Sequence, residues 1–288
     1  MQNNLPKRRA WVDFEIKTPT KTGENAKRIE GLNIRFSVAK FRGQVQGRAK
    51  ISICNLAPQD VAYLTTYMSP WIEIQKQKKI QLFAGYEGKT GLLFSGDILK
   101  AFPTQPPDVW LDCEALGGYF NNLKTESFTI AGPISIKQVA QQLAVRQDLN
   151  FMCVSKEETA SRQIDGFCYT GGLTHSVKKI NDLGIGCCWV EDDTLYLGDS
   201  EPELTDTVNV RVVDETSGLV GIPVPGPVGV DFTMLLDPSI KLGDPIELRS
   251  KRIPTINGIY WPYSVEHVGE LRGNDWYTKV KCQRFKYA

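Results

Sequence analysis

The chain has 288 residues, which is enough for two or three compact domains with a core each. Its hydrophobic content of 41% and charged content of 23% are those of an ordinary soluble protein. Lys and Arg number 34 against 33 for Asp and Glu, a formal net charge of +1, which argues against a dedicated binder of nucleic acid or acidic membranes, because such binding needs clustered excess cations.

No window approaches the roughly 18 uninterrupted apolar residues that a membrane span requires, so no membrane span is predicted. Residues 1–9 lack the apolar segment of a secretory signal, and folding in a cytoplasm is expected. The 7 cysteines match no disulfide or metal framework. Cys54, Cys113 and Cys282 lie in alternating patterns as small apolar groups, and the adjacent Cys187 and Cys188 would point to opposite faces of a strand. Neither a metal nor a cofactor is predicted.

The first part of the chain has the period-two alternation of antiparallel strands. Apolar and polar residues alternate over 11–16, 32–38 and 49–53. A short helix is predicted to follow residues 55–57, because Pro58 suits a first helical turn. This pattern is typical of an antiparallel barrel or sandwich.

The middle of the chain predicts a small α+β unit. Ser135 is the expected N-cap of one helix, with Gln138 as its capping-box partner. A second helix is predicted over 174–183, ending at Gly184. Three of its residues are expected to point inward, namely Val177, Ile180 and Leu183. A strand over 151–154 and a hairpin joining 187–190 to 194–197 complete the unit.

Residues 221–229 are rich in proline and glycine and are predicted to form an extended arm that leads into a second β region. The predicted domains are therefore a first β domain over 1–115, an α+β domain over 116–200 and a second β domain over 201–288. The fold class is mainly β with an α+β insertion.

Two stretches of the chain echo each other in their order of strands. Ile80 precedes Phe94 by 14 residues, as Ile246 precedes Tyr260. The echoing segments are 79–82, 92–96 and 110–113 in the first stretch and 245–248, 258–261 and 276–282 in the second, preceded by strands over 49–53 and 230–234. Identities are few, so chance similarity between two β-meanders stays open. A repeated β domain would suit a ring-forming protein better than an enzyme with one pocket.

Candidate catalytic groups are sparse. His175 and His267 lack a nucleophile elbow of the Gly-x-Ser-x-Gly type and are interpreted as structural or surface residues. Glu191, Asp192 and Asp193 are interpreted as a polar, solvated hairpin turn rather than a catalytic pair of carboxylates. No catalytic, cofactor-binding or metal-binding residue is therefore predicted.

Two basic runs, over 7–9 and 76–79, are interpreted as solvated surface, with contact to an acidic partner as the alternative. The aromatic residues, 10% of the chain, are spread through the predicted strands and are not interleaved with a basic patch.

The C-terminal run over 234–248, with 256–260 and 267–277, resembles the baseplate hub proteins of contractile-tailed bacteriophages, the spike-hub superfamily that includes phage late control protein D. Residues 49–56 and 83–98 of the first β region fit the same family. None of these patches is a catalytic motif, so the resemblance transfers no active-site residue.

The resemblance implies a homotrimer at the tail tip. Each subunit of that family resembles two tail-tube-like β-barrels with inserted domains, so three subunits would give six barrels that match a hexameric tail tube. The expected partners are the tail tube protein, a trimeric central spike protein and other baseplate proteins, and the genome would pass through the channel without sequence-specific binding. Any further domain of longer hubs is expected to be absent here or supplied by another protein.

Two alternatives remain open from the sequence. One is a tail-associated cell-wall hydrolase or peptidase whose site is assembled from distant residues. The other is a carbohydrate-binding tail protein that uses exposed tryptophans such as Trp71, Trp110 or Trp261.

Overall fold

The computed structural model describes residues 6–17, 27–43, 46–67, 77–200 and 210–284. Strands dominate the described chain, which confirms a mainly β protein with few helices. The first region contains β1 (Arg8–Lys17), β2 (Lys27–Glu30), β3 (Ile34–Phe41), β4 (Arg48–Cys54), α1 (Pro58–Leu64), β5 (Thr66–Tyr67), β6 (Gln77–Tyr86), β7 (Lys89–Pro103) and β8 (Trp110–Leu116).

The middle region is a mixture of short helices and strands. It contains α2 (Tyr119–Leu123), β9 (Glu126–Ser135), α3 (Ile136–Arg146), β10 (Asn150–Cys153), α4 (Glu157–Ser161), β11 (Gln163–Gly171), α5 (Leu173–Asn181), β12 (Gly186–Glu191) and β13 (Thr194–Asp199). The last region contains β14 (Arg211–Asp214), β15 (Leu219–Pro225), β16 (Gly229–Leu235), β17 (Ile246–Arg249), a 3-10 helix (Pro254–Ile256), β18 (Gly258–Glu270) and β19 (Trp276–Arg284).

The first and last regions share one order of strand pairing. In the first region the order is β3-β4-β8-β7-β6-β1, and in the last it is β15-β16-β19-β18-β17-β14. Even the irregularities coincide, because β7 bulges between Ile98 and Lys100 and β18 bulges between Pro262 and Ser264 against their partner strands. The last pair differs, since β1 lies antiparallel to β6 whereas β14 lies parallel to β17.

The equal separations noted in the sequence do not mark equivalent positions. Ile80 lies opposite Gly96, while Ile246 lies opposite Tyr260. Phe94 instead lies opposite Leu82, two residues out of step with Tyr260. The order of strands therefore carries the repeat, and the chosen aromatic pair does not.

The strand path is open among the described residues, so hydrogen bonds close no barrel there. The end strands nevertheless face a common core in each region. Ile29 of β2 and Ile34 of β3 belong to one buried cluster, and Val213 of β14 and Leu219 of β15 belong to another. The sheet thus curls around a separate core in each region, because alternate apolar side chains on every strand must leave water.

The middle region has its own core between α3, α5 and the strands. Ser135 caps α3 and forms the predicted capping box with Gln138. The inward face of α3 consists of Ile136, Val139, Ala140, Leu143 and Ala144. Strands β10, β13 and β12 form one sheet, and β11 and β9 form another.

Four local predictions concern the helix after residues 55–57, the hairpin, Leu183 and the arm over 221–229. The short helix predicted to follow residues 55–57 is present as α1, and the predicted hairpin is present as β12 and β13. Leu183, predicted to point inward, is exposed because α5 ends at Asn181 and Leu183 lies in the turn before Gly184. The arm over 221–229 is largely the edge strand β15, whose bulge accommodates prolines that cannot donate to a ladder.

Candidate assembly surfaces

The two β regions are joined edge to edge by β18. One edge of β18 pairs with β17 near its start and then, from Ser264 to Glu270, with β3 at seven antiparallel positions. Leu236 and Trp276 from the last region are buried in the core of the first region. Shared backbone pairing and a shared core fix the two regions relative to each other.

Charged groups reinforce this joint at its rim. The Arg8 guanidinium donates from Nη1 to the carbonyl of Gly273 at 2.7 Å and lies 5.4 Å from the Trp276 ring centroid. Lys89 Nζ, from the β6–β7 hairpin, lies 2.8 Å from Oδ2 of Asp237. Burial opposes ionisation of Asp237, but hydrogen bonds from Lys89 and Ser239 hold the pKa of this carboxyl below its ordinary value.

The acidic hairpin turn fastens the middle region to the first β region. Lys40 Nζ lies 2.9 Å from Oε1 of Glu191 and 2.5 Å from Oδ2 of Asp192, and Lys79 Nζ lies 2.8 Å from Oδ1 of Asp193. Ser95 donates its backbone N–H to Asp192 and its hydroxyl to Asp193. The prediction that this turn is solvated is wrong, because its three carboxylates are mostly buried and paired with lysines.

The turn chemistry itself follows the sequence. Asp192 and Asp193 have φ values of 47° and 62°, which suits a two-residue hairpin turn and residues that tolerate the left-handed region. Burial alone would lower the pKa of Lys40, but Glu191 and Asp192 together raise it. Burial raises the pKa of Asp192, and the neighbouring Glu191 carboxylate raises it further. The charge of Lys40 lowers it, but this one ammonium is shared by both carboxylates.

Lys40 was missed by sequence reasoning although the sequence contained a signal. On β3 the buried side chains alternate through Ile34, Phe36 and Val38, and Lys40 occupies the next inward position. A lysine on the apolar side of a strand requires a partner, because an unpaired buried ammonium is costly. The basic run over 76–79 is corrected in the same way at Lys79, which is paired within this cluster rather than solvated, while Lys76 lies outside the described residues.

The N-terminal basic run lines a cleft at the rim of the joint between the two β regions. The cleft has a volume of about 830 Å³ and includes Trp11 and Arg272 beside residues 7–9. Arg9 Nη2 lies 2.8 Å from Oε1 of Glu87. The run is thus at the surface as expected, and its contact with an acidic partner stays a prediction.

The two described tryptophans proposed for carbohydrate binding, Trp110 and Trp261, do not form an exposed platform. Trp261 is only 6% exposed, and the Arg42 guanidinium lies 4.4 Å from its ring centroid. Trp110 is half-buried beneath Arg35, whose guanidinium carbon lies 4.3 Å from the ring centroid. Trp71 lies outside the described residues. The expectation that Trp261 is exposed is therefore wrong.

The two histidines lie in different surroundings. His175 is exposed on α5. His267 is buried on β18, with Nδ1 2.9 Å from Oγ1 of Thr278, and burial lowers the pKa of His267 to about 3. The imidazole is therefore neutral at physiological pH. In the described part of the chain, no three His, Cys, Asp or Glu side chains are grouped so that they could hold a metal ion.

The outer edge of the last region is apolar. Val220, Ile222 and Val224 of β15 are 36%, 51% and 61% exposed, and Leu235 at the end of β16 is 41% exposed. An exposed apolar stripe on an edge strand is typical of a surface that another protein covers. No described helix is long and apolar enough to cross a membrane.

The fold is that of phage tail proteins. The chain is similar to the 43 kDa tail protein of prophage MuSo2 from Shewanella oneidensis (TM-score 0.61, 7% identity, 96% of this chain and 98% of that chain). It is also similar to a tail protein from Neisseria meningitidis MC58 (TM-score 0.63, 9% identity, 96% of each chain). A third similar structure is the E. coli c3393 protein, a type VI secretion component described as similar to the T4 tail proteins gp27 and gp5 (TM-score 0.59, 9% identity, 95% of this chain and 77% of that chain).

The family assignment comes from the sequence profile of the family described as baseplate hub gp41, which matches residues 12–282. The chain therefore belongs to the baseplate hub gp41 family, a structural family of the bacteriophage tail. This confirms the resemblance found in the sequence. No curated protein matches the chain.

Proposed function

We propose that this protein is the structural hub subunit of a contractile-tail baseplate. Three copies form a ring of six β units, two from each chain, which joins a hexameric tail tube to a trimeric central spike. In this arrangement residues 1–115 and 201–288 are the two tube-like barrel domains and residues 116–200 form the α+β domain between them. The particle is assembled in the host cytoplasm, and the genome passes through the central channel without sequence-specific binding.

The observation that carries this proposal is the repeated pairing order and its edge-to-edge joint. Two β regions with one strand order lie side by side in each chain, coupled through β18 and β3. Three such chains offer six nearly equivalent surfaces on one face, so a six-fold and a three-fold partner can both be met without loss of symmetry. A near-zero net charge suits a part that packs against copies of itself.

The proposed role is non-enzymatic. The acidic trio of the hairpin is engaged by Lys40, Lys79 and Ser95, and so serves the attachment of the middle region. His267 is buried with a threonine partner, and His175 is exposed on another element. Release of soluble fragments from purified cell wall by the wild-type protein, lost in a folded His175→Gln variant, would contradict this part of the proposal.

The test of the whole proposal is the symmetry of the assembled particle. The full chain is purified with its tube and spike proteins and imaged by electron cryomicroscopy. We expect three copies around an open axial channel, with six β units against the tube. A monomer, a two-fold dimer or a closed ring of six chains would contradict the proposal.

A further inference from the structure

The first strands of the two β regions differ in how their outer edges are used. On the inner side β3 pairs with β4, and β15 pairs with β16. The outer edge of β3 is covered by β18 of the same chain. Among the described strands, none pairs with the outer edge of β15. One repeat therefore has a neighbour at a position where the other repeat has none within the chain.

The side chains at the two edges differ in the same sense. Register through the neighbouring strands places Val224 at the position of Ser37, because Val224 lies opposite Asp231 as Ser37 lies opposite Lys50. The outward face of β3 carries Arg35, Ser37 and Ala39, whereas that of β15 carries valine and isoleucine. A contiguous apolar surface left in water is unfavourable, so the β15 edge is suited to burial against another surface.

The repeat also identifies the surface that belongs there. The strand that covers β3 is β18, and the counterpart of β18 in the first region is β7. β7 lies between β6 and β8 as β18 lies between β17 and β19, and both strands bulge at the matching position. β18 covers β3 with its C-terminal half, from Ser264 onward, and the matching part of β7 begins at Lys100. β5 pairs with this end at Lys100 and Ala101, and Phe102 beyond it is 41% exposed.

The β7 of the same chain cannot reach this position. Six strands separate β15 from β7 along the sheet. Leu219 of β15 packs in the core of the last region, whereas Ala101 of β7 packs in the core of the first region. A second copy of the chain is thus the occupant that reproduces the internal joint.

We propose that the apolar edge of β15 in one copy packs against the C-terminal end of β7 and the residues just after it, from Phe102 to Gln105, in the next copy. This inference rests on the proposed ring and gives it a defined contact, in which first and last regions alternate. Pro223 and Pro225 on β15 and Pro103 on β7 have no N–H to donate, so the contact is made mainly by side chains rather than by a continuous ladder.

A site-specific photo-cross-linker tests the contact. p-Benzoyl-phenylalanine is placed at Val224 of the full chain, and a mixture of isotope-labelled and unlabelled protein is irradiated after assembly. We expect adducts between residue 224 of one copy and residues 100–106 of another, located by mass spectrometry. The matched control places the same probe at Ser37, which lies opposite Val268, and its adducts are expected on β18 of the same chain.

A surface variant gives a second measurement. Val220→Ser, Ile222→Ser and Val224→Ser together are expected to weaken self-association at least about tenfold, because three apolar side chains lose their burial. Circular dichroism and the unfolding midpoint check that the variant still folds. The control variant Arg35→Ser alters an outward residue of the covered strand β3 and is expected to leave the assembly unchanged.

The outcomes separate this inference from the proposed function. A trimeric ring in which the probe at Val224 reaches a tube protein, a spike protein or another part of the hub would overturn the β15–β7 contact and leave the hub role intact. A protein that stays monomeric with tube and spike proteins present, and gives no adduct between copies, would overturn both. A trimer with adducts on residues 100–106 supports both.

Discussion

The two β regions share a strand order but differ in what their surfaces contact. Around β3 the edge is covered within the chain, and the inward Lys40 receives the hairpin of the middle region. Around β15 the edge is open among the described strands, and exposed valine and isoleucine replace arginine and serine. The comparison shows that two regions with few identical residues can keep one order of strand pairing. Their edges and outer faces differ according to what each contacts.

The largest expected effects test whether the repeat has equivalent cores. Ile51 lies opposite Cys113 as Phe232 lies opposite Val280, so both occupy the same place in the pairing order. Phe232→Ala is expected to lower the free energy of unfolding by about 3–5 kcal/mol and Ile51→Ala by about 2–5 kcal/mol, measured by urea denaturation.

Hydrogen exchange then locates each effect. Ile51→Ala should increase exchange mainly in β3, β4 and β8, and Phe232→Ala mainly in β16 and β19. Control variants on the outward faces of the same strands, Ser52→Ala and Thr233→Ala, should cost about 0.5 kcal/mol or less. A loss below about 1 kcal/mol for either core variant would contradict the equivalence.

The buried ion cluster breaks the symmetry between the regions. Lys40→Met leaves Glu191 and Asp192 withdrawn from water without their ammonium. We expect a loss of about 3 kcal/mol in the free energy of unfolding and faster hydrogen exchange at the tip of the β12–β13 hairpin. Lys50→Met is the control, because Lys50 is exposed and 3.8 Å from Glu114, and should change stability by less than about 1 kcal/mol. Equal effects in both variants would show that the hairpin is held by other contacts.

A third test uses positions that match in register but not in size. Gly96 lies opposite Ile80, as Tyr260 lies opposite Ile246. A Cβ atom at Gly96 would lie 2.6 Å from the Phe94 ring and 2.7 Å from the Leu116 carbonyl oxygen. Gly96→Ala should therefore cost about 1–3 kcal/mol in thermal or urea unfolding.

Gly47→Ala is the matched control, since its nearest neighbour would be 3.7 Å away. Were Gly96→Ala no more destabilising than Gly47→Ala, the first region would tolerate at this position the larger side chain that the last region carries.

The expected effect that is smallest at neutral pH, and grows only on acidification, is a pH dependence that arises in the last region. His267 occupies the place of Pro103, and burial lowers the pKa of His267 to about 3, against 6.5 for the free group. Between these two pKa values His267 binds a proton in the unfolded chain but not in the folded chain. The free energy of unfolding is therefore undiminished by His267 above about pH 6.5. It falls as the pH drops toward 3, by up to about 1.4 kcal/mol per pH unit.

Replacement by His267→Gln should flatten the fall in unfolding free energy between pH 6.5 and pH 4. His175→Gln, on an exposed site of α5, should leave the profile as in the wild type. An unchanged slope in the His267→Gln variant would show that other groups govern acid unfolding.

Short-range features were the most predictable from the sequence. The capping box of α3, the proline start of α1 and the hairpin around Asp192 and Asp193 follow from residues within a few positions of each other. The order of strands was also accessible, because alternation marks each strand separately. The mainly β class followed from these patterns, whereas the family resemblance rested on particular runs such as 234–248 and 267–277.

The features that depend on distant residues were not predictable. The pairing of β3 with β18 joins segments far apart in sequence, and either strand alone reads as an ordinary amphipathic strand. The acidic turn looked solvated because its partners, Lys40 and Lys79, lie more than 100 residues earlier. Trp261 was expected to be exposed because Arg42, which packs over its ring, comes from the first region.

The long reach of the β3–β18 ladder has a consequence for biosynthesis. Ser264 is made more than 200 residues after Phe41, so a growing chain holds the whole first region before its covering strand has been translated. Until then the edge of β3 is open to strands of neighbouring nascent chains, and such pairing is slow to form and prone to error. Arg35 and Lys40 lie on β3, and their charges disfavour pairing of its uncovered edge with strands of other chains. Ribosome-bound chains truncated before β18 should accordingly aggregate more readily than chains that extend through β19.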